Sequence, residues 1–218
     1  MKLAELLEKT EYTVVSGNVD VEVKELQYDS RKVTRGDVFV CISGAVVDGH
    51  DFITDVIAKG AAAVIVERDT QGIETADAVI IRTPVTRLAL AYMSAAFFDY
   101  PAEKLFTIGI TGTKGKTTTT FMVRDILEAC NIKTGLIGTI ETIIGDTHIP
   151  SANTTPESYM VQKYFRDMAD AGCRCVVMEV SSQALMLHRT AGIMFDIGVF
   201  TNLEPDHIGP NEHSSFVE

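Results

Sequence analysis

The chain has 218 residues, 46% hydrophobic and 22% charged, the usage of an ordinary globular protein and enough for one large domain or two smaller ones. Its 30 acidic against 19 basic residues leave a net charge of −11. That argues against general binding to nucleic acid or anionic membranes, but not against a nucleotide held by backbone N–H groups and one lysine. No run of about 18 apolar residues occurs, so no membrane span is expected. The opening MKLAELLEKTEY is acidic within five residues and lacks a small-residue cleavage site, so it does not read as a secretion signal. Of the four cysteines, Cys41 and Cys175 lie in strand-like runs, Cys130 ends a helix, and Cys173-x-Cys175 has no matching second pair. Reduced, mostly buried thiols and a cytoplasmic location are expected rather than a zinc site.

In chain order, Lys2 to Lys9 reads as a short amphipathic helix with Leu3, Leu6 and Leu7 on one side. Val21 to Tyr28 alternates like a half-buried strand, and Asp29-Ser30-Arg31 follows as a polar turn. Val38 to Ile42 is a strong strand, Gly44 to Gly49 a loop, and Asp51 to Lys59 a helix closed by Gly60. Ala62 to Val66 and Ala78 to Ile81 are strand candidates. Pro84 to Tyr100 is helical, with proline in the first turn where its missing donor costs nothing. Tyr100-Pro101-Ala102-Glu103 is the best boundary, dividing the chain into residues 1–103 and 104–218.

The second part opens with Leu105 to Ile110, an apolar strand run, followed by GITGTKGKTTTT and a helix from Thr117 to Ala129 with Phe121, Met122, Ile126 and Leu127 at helical spacing. A glycine-rich turn between strand and helix holds phosphate, because glycine lets the backbone approach and the helix N-terminus adds positive potential. Lys116 would reach the outer phosphates and the Thr117 hydroxyl would meet Mg²⁺. The strict phosphate-loop spacing requires glycine at position 110, where this chain has isoleucine, so a Gly/Thr-rich turn that binds nothing is the plainer alternative. Lys133 to Thr139 is a second strand. Glu141 to Ile149 reads as a hairpin turning at Gly145-Asp146. Ser151 to Pro156 is a loop and Glu157 to Ala171 a helix. Arg174 to Val180 is a buried strand, and Phe195 to Phe200 another. Strands alternating with helices predict an α/β fold, with about four parallel strands in the second part. Asn211 to Glu218 reads as the first turn of a helix, so a truncated chain is expected.

Parallel sheets bind ligands at the carboxyl ends of their strands. Asn153-Thr154-Thr155-Pro156, Glu179-Val-Ser181-Ser182 and Thr201-Asn202-Leu-Glu-Pro-Asp206-His207 all fall there. A carboxylate closing an apolar strand is costly unless paired or metal-bound, which makes Glu179 the most telling residue; opposite a triphosphate, Mg²⁺ is its natural partner. His207 would complete a second metal position. The plainer alternatives are an edge-exposed or helix-capping Glu179, a surface-loop His207, and Ser181-Ser182 as an N-cap pair. No G-x-S-x-G elbow supports a serine nucleophile.

TGTKGKTT, NTTP, MEVSSQAL with the following HR, and TNLEPDHIGPNEH resemble the Mur ligase superfamily in order and spacing, and YDSRKVTRGDVFVCISGAVVDGHDF resembles the uridine-binding domain of its MurE type. The resemblance implies an N-terminal α/β domain for a UDP-substrate, followed by part of a central ATPase domain, with roughly half the protein beyond Glu218. It implies that Gly112, Thr113, Lys114, Gly115, Lys116, Thr117 and Thr118 bind ATP. Tyr28, Ser30, Ala45, Val46, Val47, Asn153, Thr154, Thr155, Ser181 and Arg189 would contact the UDP-muramoyl peptide. Thr117, Glu179 and His207 would ligate Mg²⁺, and Lys116, Glu179 and His207 would be the catalytic groups. Two positions depart from the family: Gln183 stands where it often has histidine, and Leu187 where it often has glutamine. The family's carboxylated lysine would fall after the Asp-His motif, beyond the chain.

The implied reaction is ATP-dependent amide formation, adding a diamino acid to UDP-N-acetylmuramoyl-L-alanyl-D-glutamate through an acyl phosphate in peptidoglycan synthesis. Meso-diaminopimelate and lysine both remain open as the amine. Rival readings are another ligase of the superfamily, of folylpolyglutamate or cyanophycin type, a phosphate-loop NTPase switch, and a nucleotide-sugar binding module. The last is the reading expected for the 218-residue chain by itself, which would bind without turnover.

Overall fold

The computed structural model describes residues 1–44, 46–70, 77–205 and 215. The chain divides into two units, Met1–Phe97 and Phe98–Glu218.

In the first unit, β1 (Thr13–Ser16), β2 (Leu26–Gln27), β3 (Val38–Val40), β4 (Ala63–Val66) and β5 (Val79–Arg82) form one sheet in the order β1-β5-β4-β3-β2. β2 to β5 run parallel, and β1 pairs antiparallel with β5 at the edge. β4 lies at the centre and is buried along its whole length, as a parallel strand covered on both faces should be. On one face, Phe39, Val64, Val66 and Ile80 pack with Ile53 and Val56 of α2 (Ile53–Ala58). Elsewhere α1 (Leu3–Leu6) packs against α3 (Thr86–Phe97), burying Leu3, Leu6, Leu90 and Met93.

Several predicted boundaries shift. The Lys2 to Lys9 helix is a single turn, Leu3–Leu6. Only Leu26–Gln27 of the Val21 to Tyr28 run joins the sheet, because its sole neighbour β3 begins at Val38, opposite Leu26. β1 escapes sequence reading because three of its four residues are exposed and carry no burial alternation. The Pro84 to Tyr100 helix covers only Thr86–Phe97; Asp99 and Tyr100 follow with φ of 62° and 46°, a left-handed conformation that cannot continue a helix. The predicted helical turn at Asn211 to Glu218 lies outside the described residues, apart from Ser215.

The second unit contains β6 (Phe106–Thr111), α4 (Lys116–Ala129), β7 (Thr134–Ile137), β8 (Glu141–Ile144), β9 (Thr147–Pro150), α5 (Ser158–Asp170), β10 (Cys175–Glu179), α6 (Ser182–Met186) and β11 (Ile197–Phe200). The sheet order is β11-β6-β10-β7-β8-β9. Its four parallel strands are extended to six by the antiparallel hairpin β8–β9. Side chains of β10 alternate between two cores. Val176 and Met178 pack with Val161, Phe165 and Met168 of α5, whereas Cys175 and Val177 pack with Val123 and Leu127 of α4. The expected apolar face of α4 is therefore shifted. Thr120 is buried, while Met122 and Ile126 point outward, 60% and 62% exposed.

Candidate active site

Period two along β10 fixes the direction of Glu179. It shares the face of Cys175 and Val177, the face covered by α4, and so meets the first turn of that helix. The Thr117 hydroxyl donates to Glu179 Oε2 at 2.8 Å. The Thr139 N–H donates to Oε1 at 2.8 Å, and its hydroxyl to Oε2 at 3.1 Å. Glu179 is completely buried, so the edge-exposed alternative falls. Three donors on two carboxylate oxygens meet the requirement that a buried charge be hydrogen-bonded.

The phosphate loop joins β6 to α4 at the carboxyl edge of the sheet, with β6 flanked by β10 and β11. Gly112 and Gly115 take φ of 129° and 82°, conformations that favour glycine. A Cβ on Gly112 would fall on Thr201 Oγ1, whereas one on Gly115 would meet nothing within 4 Å. Gly115 thus opens onto free space at the N-terminus of α4, where helix geometry leaves the first N–H groups without intrahelical acceptors. Lys116 Nζ donates to the carbonyls of Gly112 at 2.7 Å and Thr113 at 3.1 Å, curling over the loop. The segment after β11 braces this loop. Asn202 accepts from Lys114 N–H through Oδ1 and donates to Lys114 O through Nδ2, both at 2.9 Å. The Thr201 hydroxyl donates to Lys114 O at 2.8 Å, and the Asn202 carbonyl accepts from Thr113 N–H at 3.0 Å. Lys114 also pairs with Glu204.

Lys116, Thr139, Asn153, Thr154, Ser181 and Arg189 line one cleft of about 310 Å³, with Gln183 on its wall. Thr155 also borders it, but its hydroxyl is committed: it donates to Glu179 O at 2.8 Å and accepts from Ser181 N–H at 3.0 Å, stitching the loop to β10. Arg189 donates to Thr155 O at 3.1 Å and sits 3.7 Å from Glu157. Ser181 is an N-cap, accepting from Ala184 N–H at 3.2 Å, so the plainer reading of that serine holds while it also borders the cleft. Leu187 is the C-cap of α6.

In the first unit, β2 and β3 are parallel, so the Tyr28–Arg31 turn and the loop with Val46 and Val47 emerge at the same sheet edge. Arg31 grips Asp29 with two bonds of 2.8 Å, and Lys59 donates to Ser30 O at 2.7 Å. Val46 and Val47 are exposed. Ala45, Asp206 and His207 lie outside the described residues.

The donors at Glu179 and Thr117 are all oxygen, and the ligand count is low. Both suit Mg²⁺, which keeps water and phosphate oxygens in its shell. Among the described residues no three His, Cys, Asp or Glu side chains gather as a metal group. Sequence reasoning placed Thr201 and Asn202 at the carboxyl end of a strand without assigning them the brace they form, and missed Thr139 as a site residue; its place just after a parallel strand is the one signal that marks it.

A lysine-bearing strand–turn–helix loop beside a buried carboxylate, at the carboxyl edge of a largely parallel sheet, defines an α/β fold of the phosphate-loop-like class. Residues 22–98 match the family described as Mur ligase family, catalytic domain, and residues 110–217 match the Mur ligase middle domain. The chain belongs to the Mur ligase family. It is 49% identical over 208 residues to the UDP-N-acetylmuramoyl-L-alanyl-D-glutamate--2,6-diaminopimelate ligase of Clostridium perfringens (strain 13 / Type A), covering 95% of this chain and 43% of that protein. Among solved structures, one of a UDP-N-acetylmuramoyl-L-alanyl-D-glutamate--2,6-diaminopimelate ligase superposes with TM-score 0.76 at 24% identity, over 96% of this chain and 42% of that one. The MurF ligase of Thermotoga maritima, solved in complex with ADP, superposes with TM-score 0.51 at 25% identity, over 83% of this chain and 38% of that one. The chain thus spans less than half the length of these relatives.

Proposed function

We propose that the chain supplies the UDP-substrate and ATP sites of a MurE-type ligase, which joins a diamino acid to UDP-N-acetylmuramoyl-L-alanyl-D-glutamate. The names of the relatives favour 2,6-diaminopimelate as that amine. The cytoplasm is its compartment, since the reaction consumes ATP. The observation that carries the reading is Lys116, Thr117 and Glu179 converging beside a cleft walled by Thr154, Ser181 and Arg189.

On this reading, Lys116, which holds the Gly112 and Thr113 carbonyls here, would take up the outer phosphates, and the N-terminus of α4 would add fixed positive potential. Thr117 and Glu179 would hold Mg²⁺: the hydroxyl, which donates its hydrogen bond to Glu179, has lone pairs left to offer the ion, and the carboxylate supplies the negative charge. His207 is the further candidate ligand. When bound, ATP would supply the phosphoryl group and Mg²⁺ would offset its repulsion with an attacking carboxylate: the carboxylate oxygen would bond to the γ-phosphorus as the bond to ADP breaks, and the amine would then displace phosphate from the acyl carbon. The chain's part is positioning and charge, and no protein nucleophile is needed. In the first unit, the Tyr28–Arg31 turn, with Ser30, and the Ala45–Val47 loop receive the uridine end.

Calorimetric titration with ADP, with and without Mg²⁺, and with the UDP-muramoyl dipeptide tests this. Both ligands should bind, and nucleotide affinity should rise with Mg²⁺. Nucleotide binding without any affinity for the UDP-muramoyl dipeptide would replace the ligase reading with a plain nucleotide-binding protein.

A further inference from the structure

Thr139 stands two residues past the end of β7 and touches both Glu179 and Thr154. Its N–H and hydroxyl hold the two oxygens of Glu179 at 2.8 and 3.1 Å. Its hydroxyl also lies 3.0 Å from the hydroxyl of Thr154, which lines the same cleft. A carboxylate only accepts, so the single Thr139 hydroxyl proton goes to Glu179 Oε2. The Thr139–Thr154 bond must then run the other way, with Thr154 donating. The result is a directed chain from Thr154 through Thr139 to Glu179 Oε2, the oxygen that also accepts from the Thr117 hydroxyl. Thr154 is left presenting lone pairs to the cleft, so it accepts from a ligand N–H or O–H and does not donate to a ligand carboxylate. The neighbouring Gly138 allows the close approach: a Cβ there would stand 2.5 Å from Glu179 Oε1.

We propose that Thr139 is a positioning residue for the metal-binding carboxylate: it locks the Glu179 rotamer and sets the hydrogen-bond polarity of Thr154, coupling the metal position to the peptide wall of the cleft. This rests on the ligase reading above. Partners that orient a metal ligand typically change affinity by about 10–100-fold when removed.

The test measures ADP affinity of the whole chain by calorimetry, with and without Mg²⁺, for wild type, Thr139→Val, Thr139→Ser and Gly138→Ala. The valine variant should lower the Mg²⁺-dependent gain in affinity about tenfold or more and leave metal-free ADP binding unchanged. Serine keeps both hydrogen-bonding roles and should restore the wild-type gain. Gly138→Ala, which pushes the carboxylate without touching the Thr139 hydroxyl, should reproduce the valine defect; it carries the test if the valine variant fails to fold. A valine variant with an unchanged Mg²⁺ gain, or one that loses metal-free binding equally, overturns the role of Thr139 while the ligase reading stands. Wild type without any Mg²⁺-dependent gain overturns both.

Discussion

Thr117 and Glu179 are 62 residues apart in sequence, yet the threonine hydroxyl donates to Oε2 of the carboxylate at 2.8 Å. The helix that follows the glycine-rich loop and the third parallel strand of the sheet are thereby joined at the proposed Mg²⁺ position. Glu179→Gln tests that junction. The Thr139 N–H requires an acceptor, so the new amide must turn its NH₂ toward two hydroxyls that now donate. We expect loss of about 1–3 kcal/mol of stability from the disturbed charged hydrogen bonds. Metal-free ADP binding should survive and the Mg²⁺-dependent gain should disappear, read by calorimetry.

Lys116→Met separates charge from metal. The ammonium holds the Gly112 and Thr113 carbonyls in the free protein, so its removal should lower stability by about 1–2 kcal/mol in chemical unfolding. ADP affinity should fall at least tenfold whether or not Mg²⁺ is present, unlike the Glu179→Gln pattern. Arginine should not restore it, since a planar fork does not replace a compact point charge.

The two loop glycines should differ on substitution. Gly115→Ala meets only the strain of a positive φ, about 1–2 kcal/mol, because no atom lies within 4 Å of the added carbon. Gly112→Ala adds a collision with the Thr201 hydroxyl, which itself holds Lys114 O. Its destabilisation should exceed that of Gly115→Ala, and loosening of the Thr201–Asn202 brace should weaken ADP binding as well. Thermal unfolding of the two variants side by side decides this.

The strands with long apolar runs were legible in the sequence, as was the loop between β6 and α4, because burial and glycine spacing leave direct marks. Glu179 was legible for the same reason: a charge ending the run CVVME stands out. Thr139 was not, since a lone threonine after Gly138 carries no periodic signal and its value comes from a partner 40 residues away. β1 was invisible because an exposed edge strand needs no apolar alternation. The outward turn of Met122 and Ile126 shows the limit of helical spacing, which groups residues on a face without saying which face meets the sheet.

Asp29 gives a pH prediction. Two hydrogen bonds from Arg31, outweighing partial burial, hold its carboxyl down to about 2 from an ordinary 3.8. A depressed folded-state pKa contributes stability above the unfolded value and loses it as pH falls through the folded one. The stability gap between wild type and Asp29→Asn should therefore be constant above about pH 4 and close as pH falls toward 2. Denaturant unfolding at several acid pH values measures it, and the Asp29 carboxyl carbon shift gives the titration directly.

The hairpin β8–β9 leads the chain away from the carboxyl edge of the sheet and back again, because each of its strands runs antiparallel to the one before. Its reversal at Gly145-Asp146 consequently lies at the end of the sheet remote from Lys116 and Glu179, while the return stroke delivers Asn153 and Thr154 to the cleft. An insertion at that turn should therefore leave the cleft residues in place, as unfolding of the tagged and untagged chains would show. A short peptide tag grafted at the turn would sit on the second unit away from Lys116 and Glu179.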